Sequence, residues 1–413
     1  MRLLYIDPGT GSMLFSILIG ASATLYFLAR TFFIKLKVLL SGTTGTGKHF
    51  LPYVIYSEGK QYWNVFKNAV DEFEKREIPL TFMSSSPDDP VFTGQYKFVR
   101  AEYIGEGNRA FARLNFLHAG ILLMTTPGLD VYQLKRRKTV GHYSHVLHMT
   151  GDPAGYRLFG LDYFDSVLLS GSYQEKDIRF LEKLRNLKPK ELVMAGSGYL
   201  DVYAEKIREM RGRKESPEQL TVLVSPSWGD QGILNRYGER LLDPLTAAGY
   251  RVIVRPHPQS EKSEGALLKK LERRYADTRN LEWDRERENI VSLSRADIMI
   301  SDFSGIIFDY VFLCDKPVLY TSQDMDLRPY DASDLDHEMW QTTAIRSIGA
   351  ELREEDFPRI GEVINRALSS AALLQARQKA AREAWQYRGE AGKRIADFMI
   401  SKVRQAADVQ EGF

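Results

Sequence analysis

The sequence predicts an α/β protein: two Rossmann-like, doubly wound domains facing a cleft, preceded by one membrane-spanning helix. Three observations carry this. Short apolar runs alternate with helical-period segments from Tyr53 onward, the pattern of parallel βαβ units. The alternation stops at a polar stretch, MRGRKESPEQ (210–219), and restarts at Thr221. And no residue from Pro8 to Ala29 carries a charge.

That uncharged run is centred on Met13–Leu28, and ~20 mainly apolar residues suffice to cross a bilayer. Asp7 precedes it and Arg30, Lys35 and Lys37 follow, a bias that puts the following side in the cytoplasm. Arg2 is the one early base and no A-x-A-like site follows, unlike a cleaved signal peptide. The expectation is a single-pass protein of the inner (plasma) membrane with cytoplasmic catalytic domains. The rival reading, a buried or interfacial helix, rests on Ser16, Gly20, Ser22 and Thr24, which dilute the apolarity.

The strands and helices follow in order. YVIYS (53–57) reads as a buried strand, and Trp63, Phe66, Val70 and Phe73 as one face of a helix over 61–76. LTFMSS (80–85), GILLMTT (120–126), SVLLSG (166–171) and ELVMAGSG (191–198) are further strands. Helices are expected at 108–117 and 174–187. After the linker come TVLVSPS (221–227), a helix over 231–248, YRVIVRPHP (250–258), a helix near 264–274, DIMISD (297–302), a helix near 304–313 and PVLYTS (317–322). The domains are then 1–40 (anchor), 41–212, 218–375, and a helical tail, 376–413, able to cross back onto the first domain.

Composition narrows the class. The chain has 44% hydrophobic and 27% charged residues, which excludes a disordered chain, a collagen and a polytopic membrane protein. Its 56 Lys and Arg nearly balance 54 Asp and Glu, giving +2 and no global pull toward nucleic acid. Cys314 is the single cysteine, so no intrachain disulfide forms and a reducing compartment fits.

Ligands of open α/β sheets bind beyond the carboxyl ends of the strands, so residues just after strands carry the information. SDFSGIIFDY (301–310) places Ser301, Asp302, Ser304 and Gly305 where a strand turns into a helix, a phosphate-binding geometry or a plain cap. Asp309 adds a carboxylate on that helix. RPHP (255–258) holds Arg255 and His257 at a strand end. SPSWG (225–229) gives Ser225, Ser227, Trp228 and Gly229 a second anion-binding corner. GHYSHVLHM carries His142, His145 and His148, three of the seven histidines, which share a face if the stretch is helical. Zinc is one reading of that cluster, a general base or phosphate-binding histidine the other. The basic run KRRK (135–138) lies just upstream, suited to anionic lipid headgroups. GTTGTGKH (42–49) imitates a phosphate-binding P-loop but has His49 where Ser or Thr is needed.

Together SPSWG, RPHP and SDFSGIIFDYVFLCDKPVLY, in this order, resemble the CDP-glycerol glycerophosphotransferase family of teichoic-acid synthesis. The matching residues are Ser301-Asp302-Phe303-Ser304, Phe308-Asp309 and Lys316-Pro317, with Gly305 where the family usually has a second Ser or a small residue. GSGYLD (196–201) is similar to a further family segment. The resemblance implies a GT-B-like fold and transfer of glycerol phosphate, or a related polyol phosphate, from CDP-glycerol or a similar nucleotide donor, with release of CMP. The acceptor would be a hydroxyl of a lipid-linked or polymeric cell-envelope glycan.

The resemblance also assigns roles. His257 matches one family histidine. The other lies in a His-Gly-Thr segment absent here, for which His145 is the nearest candidate and His142 the next. His145 would act as base, with His142 and His148 on the acceptor side. His257 and Arg255 would stabilise the pyrophosphate, Ser301 and Ser304 cradle phosphate, and Asp302 and Asp309 orient the nucleotide or hold a metal. No cofactor is required by the motifs, and a need for Mg²⁺ is left open. Two alternatives remain: a GT-B glycosyltransferase using a nucleotide sugar, and an inactive membrane-anchored nucleotide-binding protein.

Overall fold

The structure is a computed structural model that describes residues 49–211, 219–286, 288–322 and 326–411, together with 21–22, 24–26 and 29. Leu51–Asn115 with Ala119–Phe413 form one compact unit; Met1–Phe50 with Phe116–His118 form another. In the latter, the described residues between Ala21 and Ala29 are helical, with Leu25 and Tyr26 exposed. The rest of the uncharged run, the GTTGTGK stretch and residues 212–218 of the linker lie outside the described residues. Among the described residues no helix is long and apolar enough to cross a membrane.

Two parallel sheets organise the larger unit. The first contains β1 (Leu51–Ser57), β2 (Leu80–Ser84), β3 (Val99–Tyr103), β4 (Ala119–Met124), β5 (Val140–Val146), β6 (Ser166–Leu169) and β7 (Glu191–Met194), in the order β3-β2-β1-β4-β5-β6-β7. Its helices are α1 (Trp63–Lys75), α2 (Asn108–Leu114), α3 (Gln174–Leu184) and α4 (Gly198–Arg211). The second contains β8 (Thr221–Val224), β9 (Arg251–Val254), β10 (Leu281–Trp283), β11 (Ile298–Ser301), β12 (Val318–Tyr320) and β13 (Gly349–Glu351), in the order β10-β9-β8-β11-β12-β13. Around it lie α5 (Ile233–Arg236), α6 (Glu239–Ala247), α7 (Gly265–Arg274), α8 (Ile290–Arg295), α9 (Ile306–Cys314), α10 (Trp340–Ile348) and α11 (Ile360–Ser369). The tail forms α12 (Ala371–Ala384) and α13 (Ala391–Glu411).

The apolar runs became strands because a parallel sheet covered on both faces needs continuous hydrophobic residues. Ile55, Phe82, Ile121 and Leu123 are fully or almost fully buried, against Phe66, Val70 and Phe73 of α1. Trp63 and Phe66 meet Phe82 edge-on at 5.8 and 5.9 Å. Cutting a buried Phe such as Phe66 back to Ala costs ~3–5 kcal/mol.

The strand β5 departs from the expected pattern. Its GHYSH interior is polar, so the histidines read as a helical face. The sheet tolerates them because the polar groups pair sideways: Ser166 donates to Ser144 Oγ at 2.8 Å, and His142 Nε2 lies 2.8 Å from Ser166 Oγ. Alternation along a strand then sends His142 and His145 to opposite faces.

The two sheets share one apolar cluster reaching from Ile55 through Leu200 to Phe308, Val311 and Ile345. Polar clasps add to it. Asp152 accepts from the amides of Trp340 (2.8 Å) and Gln341 (2.7 Å), capping α10 from the first sheet's side. Arg185 binds Asp162, Asp331 and Asp334 at 2.6–2.8 Å. The tail returns to the first sheet: Asp397 pairs with Arg76 at 2.6 Å and Lys402 with Glu191 at 2.6 Å. Gly392 permits that approach, since a Cβ there would stand 2.4 Å from the Asn68 carbonyl oxygen.

Candidate active site

Both strand orders reverse direction once, between β1 and β4 and between β8 and β11. A doubly wound sheet opens a crevice beyond its carboxyl ends at that point. The sequence motifs fall there: SPSWG follows β8, RPHP follows β9 and SDFSG follows β11.

The second-sheet corner divides into braces and open groups. Ser301 is fully buried and its hydroxyl donates to the Ser225 carbonyl at 2.6 Å. Asp302 is buried, and its carboxylate accepts from the amides of Ser227 (2.9 and 3.0 Å) and Ile233 (3.1 Å). Burial pushes its pKa up, opposed by those hydrogen bonds. Arg255 is spent on Asp284 (2.5 Å) and the Glu286 carbonyl (2.7 Å). Ser301, Asp302 and Arg255, with the Ser225 carbonyl, therefore brace the turns of this corner. The cause is that each polar group found a protein partner on a neighbouring strand or turn.

The open groups are Trp228, His257 and Gly305; Ser304 is half-buried and gives its amide to Asp302. Trp228 is 48% exposed and its ring lies 6.4 Å from that of His257. Gly229 adopts φ +91°, which bends the turn so that its amide meets Glu264. Gly305 opens α9, and a Cβ there would meet nothing within 4 Å. The first amides of a helix lack partners within it, so this end presents donors to an anion. The His257 Nδ1 accepts from the Gln259 amide at 3.1 Å. A backbone amide cannot accept in return, so neutral His257 carries its proton on Nε2 and points a donor outward. Burial lowers its pKa, against the raising effect of Glu264 and Asp302.

At the first sheet the three histidines separate. His142 sits in the amino-terminal half of β5, bonded to Ser166 and edge-on to Phe398 at 5.9 Å, so it is removed from the carboxyl edge and from the acceptor side. His145 is fully buried and its pKa lies well below the usual imidazole value, through burial and then the neighbouring His148. Its burial excludes direct attack on a substrate proton. His148 lies just past the end of β5 and is partly exposed. A single hydroxyl joins the two: Tyr156 Oη is 3.1 Å from His145 Nε2 and 3.1 Å from His148 Nδ1. His145 Nδ1 has no hydrogen-bond partner among the described residues. Burial lowers His148 to about 4, so it is neutral near pH 7. The zinc reading fails because the strand splits the cluster, and among the described residues no group of three or more His, Cys, Asp or Glu side chains is placed to hold a metal.

The two edges meet just after His148. Tyr199 of α4 donates to Asp309 Oδ1 of α9 at 2.9 Å and lies 3.4 Å from Thr150 Oγ1. Burial raises Asp309 to about 7, with the Tyr199 hydrogen bond pulling the other way. Asp309 thus joins the two sheets through Tyr199. A cavity of about 320 Å³ opens at the ends of β11 and β12, lined by Phe303, Thr321, His337, Gln341, Thr342 and Arg346 among others. His337 is held by Asp177 (3.0 Å) and Asp336 (2.9 Å), which raise its pKa. Tyr156, Tyr199 and His337 escaped the sequence reading because none lies in a recognisable spacing; only their partners reveal them.

Two parallel Rossmann-like sheets meeting at their carboxyl edges define a GT-B-like protein. Residues 161–335 match the model of the CDP-Glycerol:Poly(glycerophosphate) glycerophosphotransferase family. No curated protein matches it over its sequence. Among solved structures, the wall teichoic acid polymerase TagF is similar in fold, with a TM-score of 0.55 and 14% identity over 86% of this chain and 90% of that one. A histidine variant of TagF soaked with CDPG gives the same TM-score and identity over 86% and 89%. The UDP-GlcNAc 2-epimerase of Neisseria meningitidis, bound to UDP-GlcNAc, scores 0.52 at 13% identity over 86% and 100%.

Proposed function

We propose that the chain transfers glycerol phosphate, or a related polyol phosphate, from CDP-glycerol or a similar donor to a hydroxyl of a cell-envelope acceptor. The carrying observation is the pair of neutral histidines just past β5 and β9, His148 and His257, in a chain whose segment 161–335 matches a glycerophosphotransferase family. The acceptor oxygen forms a bond to the donor's β-phosphorus. The bond from that phosphorus to the bridging oxygen breaks, and that oxygen leaves with its electron pair as part of CMP. The acceptor's proton passes to His148 Nε2. His148 can receive it when its Nδ1–H donates to Tyr156 and the Tyr156 hydroxyl donates to His145. A bound phosphate anion raises His148 toward the range where a base works best. His257 Nε2–H and the Gly305 amide at the start of α9 then offset the charge that gathers on the phosphates. The reading moves the base from His145 to His148.

The uncharged stretch Pro8–Ala29, with cations after it, supports anchoring at the inner face of the plasma membrane. The test is nucleotide release by the full chain with CDP-glycerol, UDP-sugars and GDP-sugars, with and without a lipid-linked glycan extract. CMP appearing with CDP-glycerol and acceptor together is expected. UDP or GDP instead would establish sugar transfer, and donor binding without turnover would point to a binding protein.

A further inference from the structure

The strands β4 to β7 begin side by side, so the turns before β5, β6 and β7 share the edge opposite the site. They border one groove of about 780 Å³ that includes Arg136, Tyr163, Asp165, Leu187 and Lys188. Each carboxylate in it is paired: Asp162 with Arg185 at 2.8 Å, which also holds Asp331 and Asp334, Asp165 with Arg136 at 2.6 Å and Glu191 with Lys402 at 2.6 Å. Among the described residues, Lys135, Arg137, Lys138 and Lys188 pair with no carboxylate. Lys135 Nζ reaches only the Asp130 carbonyl, at 2.9 Å, and the other three are exposed. Tyr163 stands 45% exposed among them. The edge thus combines uncompensated cations with an exposed aromatic ring, the composition of a surface that sits on lipid headgroups.

We infer that this amino edge of the first sheet docks on an anionic lipid surface. The chain's direction supports that occupant. Leu51 opens β1 in register with Ala119 of β4, so the chain coming from the uncharged Pro8–Ala29 run joins the sheet at this same edge. Docking here leaves the carboxyl edges, with His148 and His257, free of the membrane. The inference does not depend on which group the site transfers.

The experiment is hydrogen exchange of the full chain in phosphatidylcholine vesicles and in vesicles with one third phosphatidylglycerol. The run Pro8–Ala29 carries no charge, so a difference between the two lipids reports the edge. Peptides covering 132–139 and 186–190 should exchange more slowly in the anionic vesicles, on the order of tenfold or more, since each basic residue near such a surface adds attraction. High salt, or the variant Lys135→Gln/Arg137→Gln/Lys138→Gln, should abolish the difference and leave exchange in neutral vesicles unchanged. Equal exchange in the two lipids overturns the inference. So does protection by a single-stranded oligonucleotide in the absence of any lipid effect.

Discussion

At the carboxyl edge of the second sheet, the buried polar side chains are committed. Ser301 is tied to Ser225, Asp302 to Ser227 and Ile233, and His257 takes its tautomer from the Gln259 amide. At the first sheet, His148 ends a chain of exchangeable protons running through Tyr156 to His145. The first arrangement holds a donor in one direction. The second can present either a donor or a bare nitrogen, depending on which way the Tyr156 hydroxyl turns. Fixed donors suit a negative charge that develops in place; a reversible chain suits a proton that must be taken and later released. Two histidines of similar setting in the sequence therefore acquire different chemistry from their partners alone.

The largest effect tests that difference directly. His148→Ala should lower turnover by ~10²–10⁴-fold, the worth of a general base. His148→Gln should do no better, because an amide nitrogen is not a base. His257→Gln should retain far more activity than His257→Ala, because the glutamine amide still offers a donor. Equal losses for His148→Gln and His257→Gln in a CMP-release assay would erase the distinction.

Breaking the proton chain comes next. Tyr156→Phe should cut kcat about tenfold with little change in donor KM, and should move the acid limb of the pH–rate profile, since His148 loses its hydroxyl partner. A changed KM with an unmoved profile would reduce Tyr156 to a packing residue.

The braces should affect stability first. Asp302→Ala leaves the Ser227 and Ile233 amides without their acceptor, at a cost of ~2–4 kcal/mol, read as a lower Tm. Trp228→Ala, on an exposed ring, should change Tm little and weaken donor binding only a few-fold.

The smallest effect concerns the joint between the sheets. Asp309 is raised in the folded chain to about 7, so ionising it opposes folding. The stability it contributes is complete below its unfolded pKa of ~4 and is lost as pH rises through about 7. Asp309→Asn keeps an acceptor for Tyr199 without the charge. It should raise Tm relative to wild type at pH 8 and leave it unchanged near pH 4. A Tm difference independent of pH would show that Asp309 does not titrate in this range.

The sequence by itself determined the alternation of strands and helices, since period-two and period-3.6 burial is written in the side chains. It located the turns after β8, β9 and β11, because turn and cap chemistry is local. It also pointed to the glycerophosphotransferase family. It missed β5, whose polar interior is satisfied by Ser166 on the next strand and by Tyr156, and it extended one helix over 231–248 that the chain divides at Tyr237-Gly238. Tertiary structure alone decided which motif residues are open. Ser301 and Ser304 are three apart and look equivalent, yet one is fully buried and locked to the Ser225 carbonyl and the other is half-buried just before α9. His145 and His148 look interchangeable until burial takes one and Tyr156 joins them. The physical reason is that a polar side chain's role depends on whether a partner from a distant strand has already satisfied it, and that partner is set by packing.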